Sequence, residues 1–139
     1  MTLPEADRGT AFRAVLVDAR PERRALMRRV VDVALGAGTV AAEVGSARDA
    51  LLAIEHHHPD AVILELQPLD EGIATIAQLR AEYPSIVIVV CTFHADRATR
   101  LRALSAGADD YLVKPVSVGD LRAVGSARRS FPADAGSVH

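Results

Sequence analysis

The sequence predicts an α/β fold: a doubly wound parallel sheet of five strands, each followed by a helix. Three observations predict it. Strand-like and helix-like patterns alternate five times along the chain. Residues 14–17, 61–66 and 85–90 are nearly continuous apolar runs, as expected of strands covered on both faces. Half of the 139 residues are apolar, enough for one core of its own and too short a chain for a second ordinary domain.

The elements follow in order. Residues 14–17 (AVLV) are a short β-branched run. Pro21 suits a first helical turn, and Leu26, Val30 and Val33 follow at helical spacing, predicting a helix over 21–35. Residues 39–44 form the second strand. Ser46 opens an S-x-x-D pattern, a helix start, before an apolar stretch. Residues 61–66 (AVILEL) are the third strand. Ile73, Ile76 and Leu79 predict a helix over 72–83. Residues 85–90 (SIVIVV) are the most strand-like segment. A helix over 96–105 ends at Ala106-Gly107. Residues 110–113 are the fifth strand, and Ser117 opens a last helix that fades near Arg128. Alternation of this kind implies right-handed crossovers, and five units suggest the flavodoxin-like strand order 2-1-3-4-5. Residues 1–11 and 129–139 lack periodicity, so they are expected to be a flexible leader and tail around a domain spanning 12–128.

Composition excludes several function classes. A net charge of −2 gives no basic excess for nucleic acid or an acidic membrane. One cysteine, Cys91, sits in an apolar run, which predicts a reducing cytoplasm. No stretch approaches a membrane span, and the N-terminus has acids where a signal peptide has basic and apolar residues. Fifteen of the sixteen basic residues are Arg, which makes Lys114 conspicuous.

In such a sheet, sites lie at the carboxyl ends of the strands. Asp18, Glu65, Thr92 and Lys114-Pro115 fall there. The segments VLVDARPERRALM, DAVILELQPLDEG, VIVVCTF and AGADDYLVKP resemble the response-regulator receiver family in order, spacing and flanking pattern, over about residues 12–128. The resemblance implies a strand-1 acidic pair and a strand-3 Asp that hold Mg²⁺. It also implies that this Asp accepts a phosphoryl group, whose oxygens meet a Thr or Ser and a Lys. Asp18 matches the first acid, and Ala19 stands where the second should be. Glu65 stands where the acceptor Asp should be, and Gln67 falls near a position whose backbone carbonyl binds the metal. Thr92, Lys114 and Pro115 match. Tyr111 matches the switch aromatic. The loop from Glu65 to Gly72 is one residue shorter than the family pattern.

These departures converge on one function. Ala19 removes a hard oxygen ligand. Glu65 carries its carboxylate ~1.5 Å further out than Asp would, against a catalytic tolerance of about 0.5 Å. The expectation is a degenerate centre with no metal and no cofactor. Glu65 either pairs with Lys114, in part mimicking the phosphorylated state, or points to solvent. The chain then acts as a stand-alone, non-enzymatic module that binds a protein partner without phosphorylation. The docking face is expected on the fourth helix, fifth strand and fifth helix, with Arg97, Arg100, Tyr111 and Arg122. The alternative is a working phosphoacceptor in a two-component phosphorelay, using Glu65 or Asp70. A nucleotide-binding enzyme would need a phosphate-cradling loop after strand 1, and ARPERR has no glycine. No helix-turn-helix follows residue 128, which argues against DNA binding. Among receiver-like proteins, the chain is similar to actinomycete orphan members associated with respiratory complex I. That similarity implies a partner in the peripheral arm of that complex and a location in the cytoplasm, at the membrane's cytoplasmic face through the partner.

Other features have plainer readings. His56-His57-His58 do not share one helix face, which argues against a metal site. Asp109-Asp110 read as turn residues. Arg23, Arg24, Arg28 and Arg29 read as a solvated helix face, and Arg20 as a side chain able to neutralise the acidic site without metal. Phe93 stands where the family has a small residue, and is expected either to crowd the site's entrance or to pack under the fourth helix.

Overall fold

The computed structural model describes the backbone of residues 12–130 and the side chains of residues 12–124. The expected leader, and residues 131–139 of the expected tail, lie outside the described residues. Ten elements alternate: β1 (Ala14–Val17), α1 (Pro21–Leu35), β2 (Val40–Val44), α2 (Ala47–His57), β3 (Ala61–Leu64), α3 (Leu69–Glu82), β4 (Val87–Thr92), α4 (Arg97–Ala106), β5 (Asp110–Val113) and α5 (Val118–Ser130). The five strands form one parallel sheet in the order β2-β1-β3-β4-β5. This is the doubly wound, flavodoxin-like fold.

The period of two along each strand divides the core into two layers. Val15, Val17, Val62, Leu64, Ile88 and Val90 face α2, α3 and α4. Ala14, Leu16, Ala61, Ile63, Val89 and Cys91 face α1 and α5. Every residue of β1 and β3 is buried, because both strands are covered on both sides.

Local chemistry sets the helix starts. Ser46 Oγ accepts from the Asp49 N–H, and Asp96 accepts from the Thr99 N–H. Ser117 Oγ accepts from the Asp120 N–H at the start of α5.

Three expectations are corrected. The buried stripe of α1 runs through Met27, Val30, Val31 and Ala34, while Leu26 and Val33 are exposed. The arc is rotated by one residue, because the apolar positions on both sides of it satisfy helical spacing. α3 begins at Leu69, three residues before Gly72. Gly72 lies inside the first turn, where a Cβ would come 2.7 Å from Leu66 Cα, so the glycine serves close approach to the β3–α3 loop. β4 runs from Val87 to Thr92 instead of starting at residue 85. The Pro84 and Ile86 carbonyls turn toward the Arg80 guanidinium and leave the sheet pattern.

Candidate functional site

The strand ends bring the four expected residues together. The Asp18 N–H bonds Val44 O, the Glu65 N–H bonds Val17 O and the Lys114 N–H bonds Thr92 O, at 3.0, 3.0 and 2.7 Å. Each site residue thus continues the pairing of its strand, and sheet register fixes its backbone. Asp18, Glu65 and Thr92 are buried.

Glu65 does not point to solvent. Its Oε1 accepts from Lys114 Nζ at 2.9 Å, and its Oε2 accepts from the Leu66 N–H at 2.7 Å. Asp18 Oδ1 accepts from the Arg20 N–H at 2.9 Å, and Oδ2 lies 4.0 Å from Lys114 Nζ. Lys114 Nζ also sits 5.5 Å from the centroid of the Phe93 ring, which is itself exposed. Phe93 therefore covers Lys114 from outside and does not pack under α4. Thr92 Oγ1 accepts from the His94 N–H at 3.4 Å. Cys91, next to Thr92 on β4, is buried, and burial pushes its thiol up to about 12.

Comparison with known proteins gives this geometry a family. The sequence profile of the response regulator receiver domain matches residues 14–125. The chain belongs to the receiver-domain family. It is 35% identical over 99 residues to the KDP operon transcriptional regulatory protein KdpE of Escherichia coli, covering 70% of this chain and 44% of that protein. It is 33% identical over 137 residues to a protein-glutamate methylesterase/protein-glutamine glutaminase of Paramagnetospirillum magneticum, covering 86% of this chain and 36% of that protein. The chain thus spans less than half the length of the curated relatives it matches. Among solved structures it is similar to a LuxR-family two-component response regulator from Aurantimonas sp. SI85-9A1. The TM-score is 0.73 at 26% identity, over 92% of this chain and 94% of the other.

The receiver family implies Mg²⁺ at this centre, and the donors of this receiver domain do not fit it. Mg²⁺ demands near-octahedral oxygen ligation and keeps several waters. Ala19 offers no side-chain oxygen, and both oxygens of Glu65 are engaged. A cavity of about 10 Å³, room for no more than one water, lies beside these groups; Asp18, Arg24, Glu65 and Lys114 share its wall with apolar residues such as Leu16, Met27 and Ile63. Arg20 does not supply a neutralising side chain: it is exposed, and only its backbone N–H reaches Asp18. Besides Lys114, the cation in the cavity wall is Arg24, whose Nη1 donates to the Asp18 carbonyl at 2.8 Å. Sequence reasoning grouped Arg24 with a solvated face. Arg24 and Arg28 instead reach across to Glu43 on β2, at 3.7 and 2.8 Å.

The expected docking face is only partly assembled. The Tyr111 ring is buried, and its hydroxyl donates to His94 O at 2.6 Å. Burial, with Asp96 and Glu65 nearby, holds that hydroxyl above its ordinary range. The Arg100 guanidinium lies 5.9 Å from the Tyr111 ring centroid, and Arg97 is exposed on the same helix. Arg122 is not on this face. Its Nε donates to Ala34 O at 3.3 Å, because Leu121 points into the core and turns its neighbour toward α1. The remaining expectations resolve simply. His56 and His57 meet edge to face, His58 closes α2 in the left-handed region, and Asp109 accepts from the Ile88 N–H and Arg80 in the turn before β5. Asp70 lies exposed in the first turn of α3, where its Oδ1 accepts from Arg102 Nη2 at 3.2 Å.

Proposed function

We propose that this receiver domain is a pre-set protein-binding module, which engages its partner without receiving a phosphoryl group. The observation that carries the reading is the buried Glu65–Lys114 contact at 2.9 Å. In a working centre the lysine offsets charge on the incoming phosphoryl group and a free carboxylate attacks it. Here each group already satisfies the other, so neither is free for the chemistry. Glu65 is also long enough to put its negative charge beside Lys114, where phosphoryl oxygens would otherwise bring theirs. The inward Tyr111, bonded to the loop that follows Thr92, supports a conformation that needs no signal to set it. The partner meets α4 through the exposed Arg97 and Arg100, with the buried Tyr111 ring supporting Arg100 from beneath, which suits an acidic protein surface. As a first partner to test we propose the peripheral arm of respiratory complex I, a choice that rests only on the resemblance read from the sequence motifs. The module itself is read as non-enzymatic.

The experiment is incubation with acetyl phosphate and Mg²⁺. The intact mass is expected to stay unchanged, and millimolar Mg²⁺ is expected to leave the melting temperature where it was. A stable gain of one phosphoryl group would replace this reading with the alternative, a phosphoacceptor of a two-component phosphorelay, which the similarity to the two-component response regulator from Aurantimonas favours. Affinity capture from native membranes and from cytosol, followed by mass spectrometry, tests the partner separately.

A further inference from the structure

The charges at the centre do not balance with Lys114 alone. Asp18 and Glu65 are two buried carboxylates, and Lys114 lies 4.0 and 2.9 Å from them. Two acids and one cation leave an excess negative charge that burial penalises. In a phosphoacceptor a divalent ion settles the account. Apart from Lys114, Arg24 is the one cationic residue lining the cavity.

We infer that Arg24 is a built-in counter-cation: its guanidinium supplies the positive charge a divalent ion would supply, and it closes the acidic centre to metal. The inference rests on the degenerate-centre reading above and extends it from a missing ligand to an occupied place. Four observations carry it. Arg24 Nη1 donates to the Asp18 carbonyl at 2.8 Å, so the guanidinium is tied to the loop that bears the first acid. The side chain is only 20% exposed. Its Nε is buried without a hydrogen-bond partner, 3.7 Å from Glu43 Oε1, so a complete local set of hydrogen bonds does not account for its position. Gly45, in the loop after β2, borders the group, and a Cβ there would lie 3.4 Å from Nη1. α1 aims the residue: its first turn places Arg24 one turn beyond Arg20, with the Arg24 N–H on Arg20 O at 3.0 Å. Arg24 adds a second cation beside Asp18, Glu65 and Lys114, and Glu43 at 3.7 Å shares it. Arg24 is a positioning residue for the β1–α1 loop as well as a charge.

The test restores the lost acid and then removes the cation. Ala19→Asp supplies the second carboxylate. If Arg24 closes the centre, this variant alone gains little: millimolar Mg²⁺ leaves its melting temperature unchanged, and Mn²⁺ does not selectively broaden the resonances of residues 17–19. Ala19→Asp with Arg24→Gln keeps a donor for the Asp18 carbonyl and removes the charge. Its apparent Mg²⁺ affinity is expected to rise about tenfold or more over Ala19→Asp. Ala19→Asp with Arg24→Lys keeps the charge and stays unresponsive. Arg24→Met is a second neutral replacement that fills the space between α1 and β2, should the glutamine variant lose its circular dichroism spectrum. Ala19→Asp binding Mg²⁺ as tightly as the neutral double variants overturns the inference, and so does a folded neutral double variant that binds none. Acetyl phosphate labelling of the unaltered chain bears on the proposed function alone. A chain that takes no phosphoryl group, yet binds Mg²⁺ after Ala19→Asp by itself, leaves that function standing and removes Arg24 from it.

Discussion

Glu65 and Lys114 are buried together, with side chains 2% and 10% exposed, so removing one strands the charge of the other. A site open to water would make this pair worth ~0–1 kcal/mol, and a sheet edge facing solvent suggests that from sequence. Burial moves the expectation upward. Glu65→Ala should cost about 3 kcal/mol, the low end for a broken buried pair, because Asp18 remains 4.0 Å from the ammonium. Glu65→Ala with Lys114→Met should recover much of the loss in urea denaturation. A double variant as unstable as the sum of the two single ones would show that the groups do not interact. Cys91 offers a second test of burial. It is 1% exposed, with its thiol pushed up to about 12. Alkylation by iodoacetamide at mildly alkaline pH should therefore be negligible in the native protein and complete in denaturant. Labelling without denaturant would mean that the centre opens.

At the scale of single elements, caps and close approaches set the costs. Ser46→Ala removes the acceptor for the Asp49 N–H and should destabilise by about 1 kcal/mol, read as a lower urea midpoint at constant slope. Gly72→Ala is expected to destabilise although alanine favours helix, because the new Cβ meets the Leu66 backbone at 2.7 Å. An increase in stability would show that the β3–α3 loop yields freely. The Asp96 cap adds a pH dependence. Hydrogen bonds from the Thr99 side chain and backbone hold its carboxyl below its ordinary value. A carboxyl lowered by folding contributes stability above its unfolded value, and that contribution is lost as pH falls through the folded one. Acid destabilisation below about pH 4 should therefore be shallower in Asp96→Asn. Identical acid limbs in the two proteins would remove Asp96 from the balance.

For the whole molecule, the question is which face meets the partner. Arg97→Glu and Arg100→Glu should each weaken retention of the captured partner while leaving the circular dichroism spectrum intact, since both side chains are exposed. Arg122→Glu should not, since that side chain belongs to the seam between α5 and α1. The competing surface is α1, and the structure chooses its probes. Arg24 and Arg28 are tied to Glu43, so their replacement would not report on surface contacts alone. Arg23→Glu and Leu26→Asp change that surface instead. Loss of retention in these two variants, with normal binding by the Arg97 and Arg100 variants, would move the interface to α1.

The alternation of five strands and five helices, the order of the sheet and the four residues at the strand ends were legible in the chain. Each depends on short-range periodicity or on register, and a parallel sheet converts residues at successive strand ends into neighbours without further information. Asp18, Glu65, Thr92 and Lys114 could therefore be named before their contacts were known. Side-chain direction was not legible in the same way. The buried arc of α1 lay one residue from the expected one, since an apolar pattern with several spare members fits more than one rotation of a helix. Arg122 turned toward α1 because Leu121 took the core. Arg24 left the solvated face and entered the wall of the acidic cavity, while Arg20, nearer in sequence to Asp18, stayed outside. Those outcomes depend on how α1 sits on β1 and β2. That placement comes from packing and from Glu43 on a neighbouring strand, which pattern within one helix does not encode.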